Sequence, residues 1–194
     1  VSHTMPGAND IDLLQNAVTL TLEAESTSEG IRARTKVVND LTGHHVPTDF
    51  PLRHVMLVVR AYGSDGFELA LKSGPVLPGW CGSGNPADGG YAGLPGKVFV
   101  KLLEELWTGV SPTGAYWNPF KVVMDTRLEA FKPDYGEFLF AAPASGDVRV
   151  EALLIYRRAH RELMTLKGWN DPDILMESAE VSLPTATPGA ARTR

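Results

Sequence analysis

Apolar and polar residues alternate along much of this chain, the signature of strands with one face buried. Over residues 17–24, Val18, Leu20 and Leu22 fall on one face, with Thr19, Thr21 and Glu23 on the other. After a turn at 26–30 the alternation resumes over 31–38, so these two runs predict a hairpin. Residues 55–62 form a more continuous apolar run, and further extended segments are expected at 67–71, 120–124, 137–141, 148–156 and 174–183. The stretch 97–107 starts strand-like and ends helix-like, and its periodicity leaves both readings open. Two short helices are expected. One covers 11–15 behind Asp10 as its cap, and the other lies within 157–167, with Ala159, Leu163 and Leu166 on one face and Gly168 as its stop.

Seven to nine short strands separated by turn signals predict an all-β fold, an antiparallel Ig-like β-sandwich. One long Gly/Pro-rich insertion and one short late helix decorate it. The insertion spans 74–96, where Pro75, Pro78, Pro86 and Pro95 stand among many glycines. Trp80, Cys81 and Tyr91 within it are apolar anchors that favour a folded loop. The organisation read from the chain is an N-terminal arm at 1–16, a sandwich domain at 17–184, and a small, polar tail at 185–194 expected to be disordered.

Composition narrows the partners more than the fold. The 194 residues carry a formal net charge of −5, which argues against nucleic acid or an anionic membrane as a default partner. No apolar run approaches the roughly 20 residues needed to span a bilayer. A single cysteine cannot form an internal bridge, and a chain of this length needs none in order to fold. The first residue is Val1, which reads as a processed chain or a piece of something longer. Nucleotide-binding glycine motifs, a His-Glu-x-x-His pair and a Gly-x-Ser-x-Gly elbow are all missing, and no carboxylate pair stands out for acid–base work. Cys81, in Gly79-Trp80-Cys81-Gly82-Ser83-Gly84, reads as part of a packed loop rather than a nucleophile.

The unusual chemistry lies between the strands at 31–38 and 55–61. Three of the five histidines, His44, His45 and His54, sit there with Pro47 and Pro51. Both prolines restrict their own backbone and the residue before each, and Gly43 permits a backbone angle that a side chain would resist. Imidazole is the commonest nitrogen ligand of transition metals and of haem iron. His44, His45 and His54 are therefore candidate ligands of a mononuclear copper or zinc ion, although neighbours on an extended chain point opposite ways. The blander alternative is one buried imidazole bonded to a backbone carbonyl and one solvated. Asp125 and Arg127 in Asp125-Thr126-Arg127-Leu128 read as a strand-end network tying a loop down, with Arg53 or Arg157 as partners for Asp125; a calcium site is the functional alternative.

Asn39-x-x-x-Gly43-His44-x-x-Pro47-Thr48, followed by Arg53 and a strand, resembles the C-terminal β-domain of certain multihaem c-type cytochromes. The resemblance extends to Ser2-His3-x-x-Pro6-Gly7, to Asp125-Thr126-Arg127-Leu128, and to Leu154-Ile155-Tyr156-Arg157 with Lys167-Gly168-Trp169, in the expected order along most of the chain. Asp49 departs from the glycine usual at its position. So does the absence of Cys-x-x-Cys-His, without which this chain cannot attach a c-type haem by two thioethers.

The resemblance implies a haem-free, non-catalytic accessory or C-terminal domain of an exported multihaem cytochrome, periplasmic or extracellular. Haem c would be held by an upstream or partner segment, and the arm at 1–16 would link to it. His3, His44 and His45 are the candidate cofactor-binding residues, with His3 or His45 as the distal axial ligand. Asn39, Gly43, Pro47, Arg53, Asp125 and Arg127 would frame the loop. Trp80, Tyr91, Tyr116 and Trp117 are candidates to cover a haem edge. The expected partner is a haem-bearing cytochrome domain or subunit, with a homo-oligomer or filament as a further expectation. The alternatives are a glycan- or protein-binding sandwich using the 74–96 loop, and the copper or zinc protein.

Overall fold

The computed structural model describes Gly7 and residues 10–48 and 50–184. The expectations for His3, for Asp49 and for the tail at 185–194 therefore lie outside the described residues. The chain opens with α1 (Ile11–Gln15), capped as expected by Asp10, whose carboxylate accepts from the Leu13 N–H at 3.1 Å. Nine strands follow: β1 (Thr19–Thr27), β2 (Gly30–Val38), β3 (His54–Tyr62), β4 (Leu71–Ser73), β5 (Gly96–Glu105), β6 (Phe120–Asp125), β7 (Pro133–Phe140), β8 (Val148–Arg157) and β9 (Ile174–Leu183). A second helix, α2 (Arg161–Lys167), connects the last two strands.

The strands form two antiparallel sheets, ordered β1-β2-β7-β4 and β6-β5-β3-β8-β9. The first matches the A-B-E-D sheet of an immunoglobulin sandwich, and β3-β8-β9 matches C-F-G, with β5 and β6 added outside C. The fold class read from alternation is thus the one observed. Ile31, Ala33, Val37, Phe138 and Phe140 face Val55, Leu57, Val59, Val150, Ala152 and Leu154 across the main core. Each of these side chains contributes roughly 1.5–3 kcal/mol when fully buried, the alanines less.

β3 is buried on both faces, and the long insertion is the reason. Val55, Leu57, Val59 and Ala61 point into the sandwich, whereas Met56 and Val58 point outward beneath the 74–96 loop. There they pack with Leu77, Cys81 and Ile155, flanked by Trp80, Tyr91 and Leu94. Two short 3₁₀ turns, Gly79–Cys81 and Pro86–Asp88, give that loop its shape. The insertion is therefore a lid that forms a second core.

Several boundaries differ from the sequence expectation. The ambiguous 97–107 stretch is strand through Glu105, because β5 pairs first with β3, up to Val100, and then with β6, from Lys101 onward. The run at 67–71 supplies only the start of β4. In α2 it is Met164 that is buried beside Ala159 and Leu52, whereas Leu166 is 80% exposed. Gly168 ends the helix in the left-handed region, at φ 65°.

Candidate functional site

The histidine loop is held by one buried amide. Asn39, fully buried at the end of β2, donates to the His44 carbonyl at 2.6 Å and to the Leu128 carbonyl at 3.0 Å. Its own side-chain oxygen accepts from the Thr42 hydroxyl at 2.6 Å. Val46 and Leu128 exchange backbone hydrogen bonds at 3.0 and 2.8 Å, and Phe131 N–H donates to the Asn39 carbonyl at 2.7 Å. The 39–48 and 125–131 segments are thereby laced together. Val46 and Pro47 are buried, joined by a cis peptide bond, while His44 and His45 stand exposed between the anchors. A rigid frame with exposed tips is how scaffolded functional loops are built.

His44 has a defined orientation. Its Nδ1 lies 3.0 Å from the His45 carbonyl, and a carbonyl can only accept, so Nδ1 carries the proton. The Nε2 lone pair is then left free, which is the arrangement in which imidazole ligates a metal. His45 lies close enough to Asp125 and Glu129 to favour their charged forms. Asp125 itself is held below the usual carboxylate range mainly by Arg127, which donates from Nε at 2.8 Å and from Nη2 at 2.7 Å.

The structure brings Asn39, His44, His45, Pro47, Asp125 and Arg127 together, and it corrects the pairing expected for Asp125. Gly43 leaves its backbone freedom unused: its φ is not positive, and a Cβ placed there would meet nothing within 4 Å. Arg157 is not a partner of Asp125; its guanidinium is held by Asp173 instead. The Arg53 guanidinium reaches the Thr48 carbonyl at 3.5 Å, within its own loop.

His54 belongs elsewhere. It is fully buried at the start of β3, with Nδ1 3.1 Å from the Leu52 carbonyl. Its ring stacks on His160 with centroids 5.0 Å apart and planes 11° from parallel. Trp80 closes over both rings edge-on, at 5.4 and 5.3 Å. Burial pushes the His54 pKa well below its ordinary value, and neighbouring His160 and Arg157 push the same way. Burial likewise lowers His160, to about 4. His54 Nε2 has no hydrogen-bond partner among the described residues, and for His160 a contact with the Pro51 backbone opposes burial without outweighing it. Trp80, itself only half-buried, thus packs its ring against this stack.

The expected copper or zinc set of His44, His45 and His54 is accordingly not assembled. Among the described residues, no group of three or more His, Cys, Asp or Glu side chains is placed to hold a metal ion. Nor does the Asp125 site gather calcium ligands in that sense.

Beside the histidine stack lies a residue whose importance the sequence understated. Arg157 is 1% exposed and donates to the carbonyls of Cys81 at 2.7 Å and Gly89 at 2.6 Å, as well as to both oxygens of Asp173. It also lies 5.3 Å over the Tyr91 ring. One cation thus ties the lid to the sheet and to the segment ahead of β9. The signal was available: strict alternation in β8 directs Arg157 to the lid side together with Ile155. Cys81 is wholly buried, and burial pushes its thiol up to about 12, away from the reactive thiolate form. Of the other expected cover residues, Tyr91 packs under the lid, while Tyr116 and Trp117 are 79% and 69% exposed.

The fold and loop together define a class, an Ig-like sandwich displaying two exposed imidazoles from a clamped loop. No family model matches the chain, and no curated protein matches it. Among solved structures the chain is similar to a penta-heme cytochrome c552 from Thermochromatium tepidum, with a TM-score of 0.66 and 21% identity over 93% of this chain. It spans 43% of that cytochrome's length. At this identity the likeness is one of fold.

Proposed function

We propose that this chain is the haem-free β-module of a multihaem c-type cytochrome, or of an assembly with one, and that it supports electron transfer without catalysing a reaction itself. The observation that carries the proposal is the fold likeness to a penta-heme cytochrome c552 over nearly the whole chain. The histidine loop supports the same reading. It offers an exposed imidazole whose Nδ1–H is tied to a backbone carbonyl, leaving Nε2 outside that bond. That donor chemistry suits an axial position on haem iron, whereas one buried cysteine does not suit covalent haem attachment.

On this reading His44 or His45 supplies the sixth ligand of a haem carried by a neighbouring segment or subunit. Haem supplies the redox centre. This chain supplies position, a nitrogen donor and exclusion of water, in a periplasmic or extracellular setting. The test is His44→Ala and His45→Ala, each in the complete haem-bearing assembly. Loss of the low-spin spectrum at one haem, or a shift of its potential, is expected for one of the two. An unchanged spectrum and potential in both variants would remove the ligand role.

A further inference from the structure

The four sheet edges of this sandwich are not equally defended. β1 carries Glu23 and Glu25 and packs against β9, which itself carries Glu177 and Glu180. β4 is only three residues long. Short, charged or covered edges are the usual protection against pairing with another chain. β6, the last strand on its side of the five-stranded sheet, is neither that short nor packed against another edge, and its charges are already paired.

All six residues of β6 are exposed, and the apolar ones project from both faces: Phe120 43%, Val122 49%, Val123 43% and Met124 38%. Its two charges do not guard the edge, because each is neutralised on its own hairpin or turn. Lys121 pairs with Glu104 at 2.7 Å, and Asp125 pairs with Arg127. They also stand at opposite ends of the strand, so like charges do not face one another when two copies run antiparallel.

The loop entering β6 is built to display more apolar surface. Glu105, 8% exposed, accepts from Thr108 at 2.7 Å, Thr113 at 2.8 Å and Asn118 at 3.0 Å. These bonds fold 106–119 into a fixed shape that holds Trp107 77%, Tyr116 79% and Trp117 69% exposed. Tyr116 and Trp117 brace one another edge-to-face at 5.1 Å. With Phe120, these aromatics offer roughly 500 Å² of apolar area, a large part of the about 800 Å² per partner that a stable interface needs.

We propose that β6 pairs antiparallel with β6 of a second copy, fusing two five-stranded sheets across a two-fold axis. An isologous contact of this kind closes on itself and gives a dimer rather than a filament. Main-chain hydrogen bonds satisfy the open edge, and the side chains of Val122 to Met124 pack on both faces. The pairing sets the aromatic loop of each copy beside the Asp125 end of the other, next to its histidine loop. The inference does not depend on haem.

The test is the mass of the 194-residue chain in solution by sedimentation equilibrium, as wild type and as Val122→Lys. A dimer is expected, with its dissociation constant raised roughly 100-fold by the substitution at unchanged circular dichroism. A second measurement uses the fact that the only native thiol, Cys81, is buried. Val123→Cys should give an oxidised, disulfide-linked dimer, whereas Ser182→Cys on β9 should not. A monomer at all concentrations, a dimer indifferent to Val122→Lys, or equal cross-linking from β9 would overturn the proposal. So would pairing of β6 with a different, haem-bearing polypeptide in place of a second copy.

Discussion

The molecule holds two pairs of histidines, and they were given opposite environments. His54 and His160 are stacked under Trp80, sealed from water and held neutral by burial. His44 and His45 are lifted into solvent by a loop whose main anchors, Asn39, Val46 and Pro47, are buried. The first pair serves the core and the second is presented outward. Residue type alone does not separate these uses; the surroundings do. A single amide, Asn39, supports the exposed pair, and a single guanidinium, Arg157, supports the wall around the buried one.

That division can be broken most forcefully at Arg157. Replacing it with Leu strands the Asp173 carboxylate and the Cys81 and Gly89 carbonyls, and should cost about 3–5 kcal/mol by urea denaturation. A loss below about 1 kcal/mol would show that the lid is held by its apolar contacts alone.

The buried pair should write its signature in pH. His160 stays neutral in the folded protein down to about pH 4, whereas the unfolded chain takes up that proton near pH 6.5. Between those values the unfolded state binds more protons. Stability is therefore complete above pH 6.5 and should fall by about 3 kcal/mol as pH drops towards 4. His54, shifted the same way, adds to that slope. His160→Phe keeps a ring against Trp80 and should flatten the profile, and an equally steep profile in that variant would assign the pH dependence elsewhere.

The exposed pair should behave differently. Asn39→Ala removes the clasp and should cost about 2 kcal/mol, with faster amide exchange across 40–48. His44→Ala or His45→Ala should change stability by less than about 0.5 kcal/mol. Equal costs for the amide and the imidazoles would erase the distinction between frame and display.

How far the sequence carried follows the same line. Alternation at 17–24, 31–38 and 148–156 was enough for the sandwich, because one face of each strand meets the core. It failed at 97–107, where β5 changes partner at Val100 and the pattern blurs. The clamped loop was legible through its prolines and its Asn39, whose side chain can bridge two segments. Gly43 is conspicuous in the sequence, yet its surroundings leave room for a side chain. His160 went unremarked because it lies alone at the start of a short helix, and only three-dimensional closure sets it against His54. Leu166 was given to the core by spacing, yet a seven-residue helix lying on a lid has room for just one buried apolar position, taken by Met164.

The central claim is that this sandwich works beside haem it does not carry. Its most direct test is the visible absorption spectrum of the protein isolated intact, under native conditions, from the cells that make it. The account predicts the Soret and α bands of low-spin c-type haem at a fixed ratio to this chain. A colourless protein, complete and stable without a haem-bearing segment or subunit, would contradict it.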